Sequence, residues 1–123
     1  IEKTASGGEL SRIMLAVKSA SAQKDDIETL IFDEIDTGTS CKTSKAVADE
    51  ISNLSKHRQI IMITHQAILA AKADKHLYIR KKQEDVTQIN IYELSEAERL
   101  NALAELASGE ITQESLDFAK TLI

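Results

Sequence analysis

The sequence has no proline and a single cysteine, Cys41. The missing proline excludes a proline-rich linker or a PxxP motif. The single cysteine excludes an internal disulfide framework and a cysteine-rich zinc site, and it is typical of a reducing cytoplasm. We expect Cys41 to be an inert small side chain. No apolar run approaches the roughly 20 residues of a membrane span, and no signal-peptide pattern occurs.

What the chain does contain is typical of one globular domain. It has 123 residues, of which 42% are hydrophobic and 28% charged, a composition that is not that of a disordered segment. The net charge of -5 argues against a globally basic nucleic-acid-binding domain, but it does not exclude a nucleotide site built from local groups. The first residue is Ile1 rather than methionine, so we expect a piece of a longer chain.

The first strong pattern is a helix with two glycines in its first turn. Apolar residues recur at helical spacing at Leu10, Ile13, Met14 and Val17. Ser6 and Glu9 have the spacing of a capping box, which predicts a helix start near Ser6. Gly7 and Gly8 lower helix propensity there, which favours a backbone that closely approaches another group. Because bare N–H groups at a helix start bind anions, that group could be a phosphate.

Two apolar runs predict buried strands that end in polar residues. Residues 29–32 precede Asp33 and Glu34, and residues 60–63 precede Thr64 and His65. A polar turn over 36–40 and a helix carrying Val47, Ile51 and Leu54 separate the two runs, and an alanine-rich helix over 66–73 follows them. Ligands of open α/β sheets lie outside the carboxyl ends of the strands, so we expect Asp33, Glu34 and His65 on one edge.

The C-terminal third predicts a β-hairpin followed by two helices. Strands over 77–79 and 86–92 are joined by the polar residues 81–85. Capping patterns at Ser95 and Thr112 start helices, and Gly109 ends the first of them; the apolar residues of these helices are Leu100, Leu103, Leu106, Leu116, Ala119 and Ile123. The fold class is therefore α/β, with parallel strands, flanking helices and a C-terminal hairpin with helices.

The residue types at the predicted edge suit phosphoryl transfer. One aspartate can hold Mg²⁺ directly or through water, which would be Asp33. A neighbouring glutamate, Glu34, can orient or deprotonate water. A histidine, His65, can donate a hydrogen bond to developing phosphoryl charge. The alternative is that Asp33 and Glu34 only start a loop and cap a helix.

The wording of these segments resembles known ATPase motifs. Ser6 to Glu9 resembles the signature motif of ABC-type ATPases, and Leu30 to Glu34 resembles their Walker B strand. Residues 37–40 stand where the D-loop belongs, and His65 resembles the switch histidine. Longer stretches are similar to the RecN family of SMC-like bacterial DNA repair proteins; these are residues 5–16, 32–38, 63–65 with 70–74, and 94–112.

This resemblance implies a P-loop NTPase-like fold, the ABC/SMC head, with residues 1–123 as its C-terminal part. In such heads ATP and Mg²⁺ lie between two heads. Ser6, Gly7, Gly8 and Glu9 would contact the nucleotide of the partner head, whereas Asp33, Glu34 and His65 would act on their own. The implied partners are a second head in a homodimer, the N-terminal half of the same head, and DNA in the full-length protein. The implied location is the bacterial cytoplasm, associated with the nucleoid and not with a membrane.

Departures from the ABC pattern indicate which branch of these ATPases the sequence resembles. Ile35 follows Glu34 where transporters usually have proline, and Ser40 occupies the D-loop aspartate position, which favours the SMC/RecN branch over a transporter. The sequence has no G-x-x-x-x-G-K-[ST] and no sustained heptads, so the Walker A half and the coiled coil are expected elsewhere. We therefore expect an inactive isolated chain and a sheet with an uncovered edge or face. Two alternatives remain, an SMC-type chromosome protein and a hydrolysis-deficient dimerisation or DNA-bridging module.

The sequence leaves more than one role open for several charged residues. Arg12 could contact nucleotide, contact the partner head or face solvent. A basic cluster could contact DNA phosphate, although a solvated face is favoured because no aromatics are interleaved; the cluster comprises Lys72, Lys75, Arg80, Lys81 and Lys82. No function is assigned to His57 or His76.

Overall fold

The computed structural model describes residues 7–21, 26–82 and 88–123. The chain forms two compact units, residues 1–72 and residues 73–123. The elements of the first unit are α1 (Gly7–Ala20), β1 (Thr29–Asp33), α2 (Cys41–Ser55), β2 (Gln59–Ile63) and α3 (Ala67–Ala70). Those of the second unit are β3 (Leu77–Lys82), β4 (Gln88–Glu93), α4 (Glu96–Ser108) and α5 (Gln113–Lys120). Among the described residues, none of the helices is long and apolar enough to cross a membrane.

The first unit is built on a parallel pair of strands. β1 and β2 pair in register from Thr29 opposite Gln59 to Asp33 opposite Ile63. Parallel strands need a crossover, and α2 supplies it. The predicted strands and the predicted crossover helix are thus confirmed, and the α/β fold class with them.

The core of this unit lies between α2 and one face of the strand pair. Its buried members include Phe32, Ile35, Val47, Ile51, Leu54 and Leu69. The opposite face of the strands is uncovered, because Ile31 is 67% exposed and Ile63 is 50% exposed. The sequence pattern predicted that both strands are buried, whereas the described residues cover only one face of the strand pair.

Helix α1 forms as predicted, but its apolar stripe does not face the core. The side chain it buries is Leu15 at 4% exposure, whereas Leu10, Ile13, Met14 and Val17 are each more than half exposed. The helix after β2 also differs from prediction. α3 is a single turn, Ala67–Ala70, rather than a helix over 66–73, because the chain turns at 71–72.

Helix α2 begins with a side-chain cap at a position that the D-loop comparison had singled out. Ser40 has extended backbone, and its hydroxyl accepts a hydrogen bond from Thr43 N at 3.3 Å. This is the usual work of an N-cap serine. The next residue, Cys41, is exposed, although free cysteines are commonly buried.

The second unit contains the predicted hairpin and both predicted C-terminal helices. β3 and β4 are antiparallel, with Tyr78 opposite Tyr92. β3 runs to Lys82, beyond the predicted end at 79. Residues 83–87 lie outside the described residues; they include residues 83–85 of the predicted connection and the first two residues of the predicted second strand. Leu103 is fully buried on α4. Ile123, expected on α5, lies after the end of that helix and is exposed.

Capping is where the sequence predicted this unit most accurately. Ser95 and Glu98 form a reciprocal capping box, and Gly109 ends α4 in the left-handed conformation with φ 81°. The Ser95 hydrogen bonds hold the pKa of the Glu98 carboxyl below its ordinary value. Thr112 caps α5 as predicted.

A half-buried histidine, His76, lies at the start of the hairpin. Its carbonyl accepts a hydrogen bond from Leu94 N at 2.9 Å, and its Nδ1 is buried with no hydrogen-bond partner among the described residues. Burial, and secondly the positive charge of Arg99, lower the pKa of His76 from its ordinary 6.5. The folded unit therefore favours the neutral ring.

This predicts a pH-dependent loss of stability. The unfolded chain takes up a proton at His76 as pH falls through 6.5, and the folded unit does so only at lower pH. The contribution is complete above pH 6.5 and is lost as pH falls through the folded pKa. Urea unfolding of the chain from pH 7.5 to 5 should show this fall, and His76→Gln should reduce it. An equal slope in the variant would contradict the assignment.

Candidate functional site

The carboxyl ends of β1 and β2 bring the predicted residues to one edge. Asp33 is the last residue of β1 and Glu34 follows it. Thr64 and His65 follow β2 at the matching level, because Asp33 pairs with Ile63. The side chains of Asp33, Glu34 and His65 are accessible, and that of His65 is 74% exposed. The edge thus offers two carboxylates and an imidazole to a ligand, as the strand pattern predicted.

Glu34 has an unusual backbone. Its φ of 55° lies in the left-handed region, which costs a non-glycine residue on the order of 1–3 kcal/mol. The turn that follows holds this conformation, because Thr37 N donates to Glu34 O at 3.1 Å. Such conformations cluster at functional sites.

The carboxylate of Asp36 connects the two strand ends. Asp36 is 1% exposed. Its Oδ2 accepts hydrogen bonds from the Thr64 hydroxyl and, at 3.2 Å, from the His65 backbone N–H. Nδ1 of the His65 ring lies 3.3 Å from the same oxygen. The other oxygen, Oδ1, is buried without a hydrogen-bond partner among the described residues.

A second set of hydrogen bonds reinforces this link. Gln66 Nε2 donates to Asp36 O at 3.1 Å and to Thr39 Oγ1 at 3.2 Å. Thr39 Oγ1 in turn donates to Asp36 O at 2.7 Å, and Gln66 N donates to Thr64 Oγ1 at 3.0 Å. The turn after β1 and the segment after β2 are therefore fixed to each other by side chains from both.

Sequence reasoning missed Asp36 and Gln66. It placed Asp36 only in a polar turn, since an aspartate in such a turn is ordinarily solvated. The available signal was two further polar residues, Thr64 and Gln66, around His65 at the neighbouring strand end. That signal does not specify which of them buries a partner.

The start of α1 packs against the turn after β1. A Cβ on Gly8 would lie 2.8 Å from Glu34 O and 2.9 Å from Thr37 O, both backbone atoms. A Cβ on Gly7 would lie 3.3 Å from Oε2 of Glu34, the end of a flexible side chain. Close packing against the chain's own turn thus explains why residue 8 is a glycine. Gly7 is exposed, so the prediction that it lets a ligand approach the backbone still applies to that residue. Glu9 is exposed in the same helical turn, and Ser6 lies outside the described residues.

Arg12 holds the turn after β1, a role that was not considered from sequence. Its guanidinium Nη1 donates to Ile35 O at 3.1 Å and to Thr37 O at 3.0 Å. One helical position earlier, Ser11 Oγ donates to Asp33 O at 3.0 Å. These bonds explain why the polar side of α1, not its apolar stripe, faces the site.

The basic cluster is partly neutralised. Lys72 lies 3.5 Å from Asp49, and Lys75 lies 3.1 Å from Glu93. Arg80 and Lys81 are exposed. Two of the five basic side chains therefore already have carboxylate partners, which favours a solvated face over a DNA-binding one.

The carboxylates fit a metal that arrives with a ligand. Among the described residues, no three His, Cys, Asp or Glu side chains form a group that could hold a metal ion. Mg²⁺ commonly uses one or two carboxylates together with water and substrate phosphate. Exposed Asp33 can supply one such oxygen, with Glu34 next to it, so the residues fit Mg²⁺ bound with a nucleotide.

Comparison with known proteins agrees with this geometry. A solved structure from work on the ATP-driven dimerisation and DNA-stimulated activation of SMC ATPases matches 89% of this chain and 65% of its own, with 29% identity and a TM-score of 0.62. No family model matches the chain. The fold and the strand-end site together define the class as the SMC-type ATPase head.

The sequence relatives specify the family. The DNA repair protein RecN of Bacillus subtilis is 41% identical over 125 residues, and that of Rickettsia conorii is 46% identical, each match covering all of this chain. RecN of Treponema pallidum is 50% identical over 67% of the chain. The chain spans 22% and 23% of the first two relatives. It belongs to the RecN family.

The two glycines of α1 should respond differently to substitution. Gly8→Ala forces a methyl group against two backbone carbonyls and should lower the free energy of unfolding by about 1–3 kcal/mol. Gly7→Ala, the matched control, displaces only the end of the Glu34 side chain and should be close to neutral. Urea unfolding of both variants checks this. Equal stability of the two variants would refute the close packing of α1 on the turn.

Proposed function

We propose that this chain is the C-terminal part of an ATPase head in a RecN protein that acts in DNA double-strand break repair and recombination. In the full-length protein, meaning this chain joined to the half that carries the Walker A loop, the head binds ATP with Mg²⁺ and hydrolyses it. The observation that carries the proposal is the shared edge of β1 and β2, which presents Asp33, Glu34 and His65 together. The SMC-type fold and the RecN relatives support it.

Each residue has a distinct part in this proposal. Asp33 supplies a carboxylate oxygen to Mg²⁺, directly or through water. Glu34 orients the attacking water and accepts its proton. His65 donates a hydrogen bond to the charge that develops on the transferred phosphoryl group. Mg²⁺, when bound, neutralises part of the phosphate charge.

The start of α1 serves a second nucleotide in this account. Ser6, Gly7 and Glu9 contact the ATP held by a second head, so that hydrolysis requires two heads in a homodimer. Gly7 can contribute a bare backbone N–H to phosphate. Gly8 is part of the same motif, but its close packing on Glu34 and Thr37 shows that it also fixes the position of the helix start. The SMC relative was studied for ATP-driven dimerisation.

The remaining partners follow from what the described residues leave uncovered. The exposed face of β1 and β2, with Ile31, Ile61 and Ile63, is assigned to the N-terminal half of the same head. The chain itself is acidic, so DNA binding is assigned to other parts of the full-length protein. That protein is assigned to the cytoplasm, at the nucleoid. A hydrolysis-deficient bridging module would keep these partners while losing turnover, so activity separates the two functions.

Removing the proposed base should separate ATP binding from hydrolysis. In the full-length protein, Glu34→Gln should lower kcat by about 10²- to 10⁴-fold, the usual contribution of a general base. ATP-driven dimerisation should remain. Steady-state ATPase assays and light scattering check this, with exposed Glu50→Gln on α2 as the matched control. Hydrolysis by Glu34→Gln at the wild-type rate would eliminate the assigned role.

The isolated chain should be inactive, because it has no Walker A loop to hold the β- and γ-phosphates. Mixing it with a separately produced N-terminal half should restore hydrolysis, and the restored activity should again depend on Glu34. Phosphate release assays on each part and on the mixture test this. Robust hydrolysis by the 123 residues alone would refute the division of the head.

A further inference from the structure

The structure points to a function for the buried carboxylate of Asp36. We propose that Asp36 is the positioning residue of His65: it fixes the histidine ring at the edge of the sheet and couples it to the turn that carries Glu34. This deepens the function proposed above and rests on it. Asp36 does not reach the edge itself, since it is 1% exposed, so it acts through the histidine and not on a substrate.

The first support is the number of groups that meet at one oxygen. Oδ2 of Asp36 accepts from the Thr64 hydroxyl and from the His65 backbone N–H, and it lies 3.3 Å from Nδ1 of the His65 ring. The carboxylate thus contacts the histidine through both its main chain and its ring. Charge-assisted hydrogen bonds of this kind hold geometry more firmly than neutral ones.

The second support is the contrast between the ring and its anchor. The His65 side chain is 74% exposed, whereas that of Asp36 is fully buried. An exposed ring without an anchor would sample several rotamers. Occupying the Nδ1 side with a buried carboxylate leaves Nε2 as the nitrogen available to a ligand, the arrangement by which second partners orient functional histidines.

The third support is that the anchor belongs to the turn of the proposed base. Asp36 follows Glu34 by two residues, and the turn between them is held by Arg12, which donates to Ile35 O and Thr37 O at 3.1 and 3.0 Å. Gln66 and Thr39 fix the Asp36 carbonyl. Moving this turn would therefore move Glu34 and His65 together.

The test uses the full-length protein and compares Asp36→Asn with Asp49→Asn. The amide keeps the shape of Asp36 but lacks the charge and one acceptor oxygen, whereas Asp49 is an exposed aspartate on α2 that forms a 3.5 Å ion pair with Lys72. We expect Asp36→Asn to lower kcat by about 10- to 100-fold, the usual effect of losing an orienting partner. KM for ATP should change by less than about threefold, because His65 is proposed to stabilise charge that develops during hydrolysis and not to contribute to ATP binding.

A double-mutant cycle with His65→Ala distinguishes positioning from general structural support. If Asp36 acts through the histidine, Asp36→Asn should cost little further activity once His65 is alanine. An equal loss in both backgrounds, or a rise in KM with unchanged kcat, would overturn the proposal. Thr64→Val provides a second variant in case Asp36→Asn fails to fold: it removes one donor and should cause a smaller, equally His65-dependent loss in kcat.

Glu34→Gln, measured in parallel, separates this proposal from the one on which it rests. Loss of hydrolysis in Glu34→Gln with wild-type hydrolysis in Asp36→Asn would refute only the role of Asp36. Wild-type hydrolysis in both variants would refute both proposals.

Discussion

The geometry of the site depends on one buried carboxylate. Asp36 accepts hydrogen bonds from the segment after β2 while its own backbone belongs to the turn after β1. Parallel pairing brings the two strand ends to the same edge, but pairing alone does not fix the loops beyond them. The hydrogen bonds to Asp36 do so, and they convert two neighbouring loops into one arrangement of Glu34 and His65.

The helix that precedes β1 completes this arrangement from the other side. Ser11 and Arg12 donate to carbonyls of the turn, and Gly8 lets the helix start lie directly against it. The proposed contact with a partner's nucleotide and the proposed hydrolytic residues are therefore mechanically connected within one chain.

Much of this could be predicted from the sequence, because the deciding signals are local. Apolar runs ending in Asp33-Glu34 and Thr64-His65 predicted both strands and the shared edge, and capping residues such as Ser95 and Gly109 predicted helix ends. The stripe of Leu10, Ile13, Met14 and Val17 predicted a helix but not its orientation, since polar bonds from Ser11 and Arg12 decide which side faces the turn. The buried Asp36 could not be predicted either, because its burial depends on donors that lie 28 and 29 residues away.

Gly8 could be predicted only in part. The glycine pair indicated that another group closely approaches the backbone, and the structure shows that at Gly8 this group is a pair of backbone carbonyls of the same chain.

The central claim is that Asp33, Glu34 and His65 of one chain act on a single nucleotide whose other side is contacted by the α1 start of a second chain. The most direct measurement is a crystal structure of the full-length Glu34→Gln protein with ATP and Mg²⁺. The account predicts that the γ-phosphate lies beside Asp33 and His65 of one protomer and beside Gly7 of its partner. A nucleotide whose phosphates contact Gly7 and residue 34 of the same protomer, or one bound away from this edge, would contradict it.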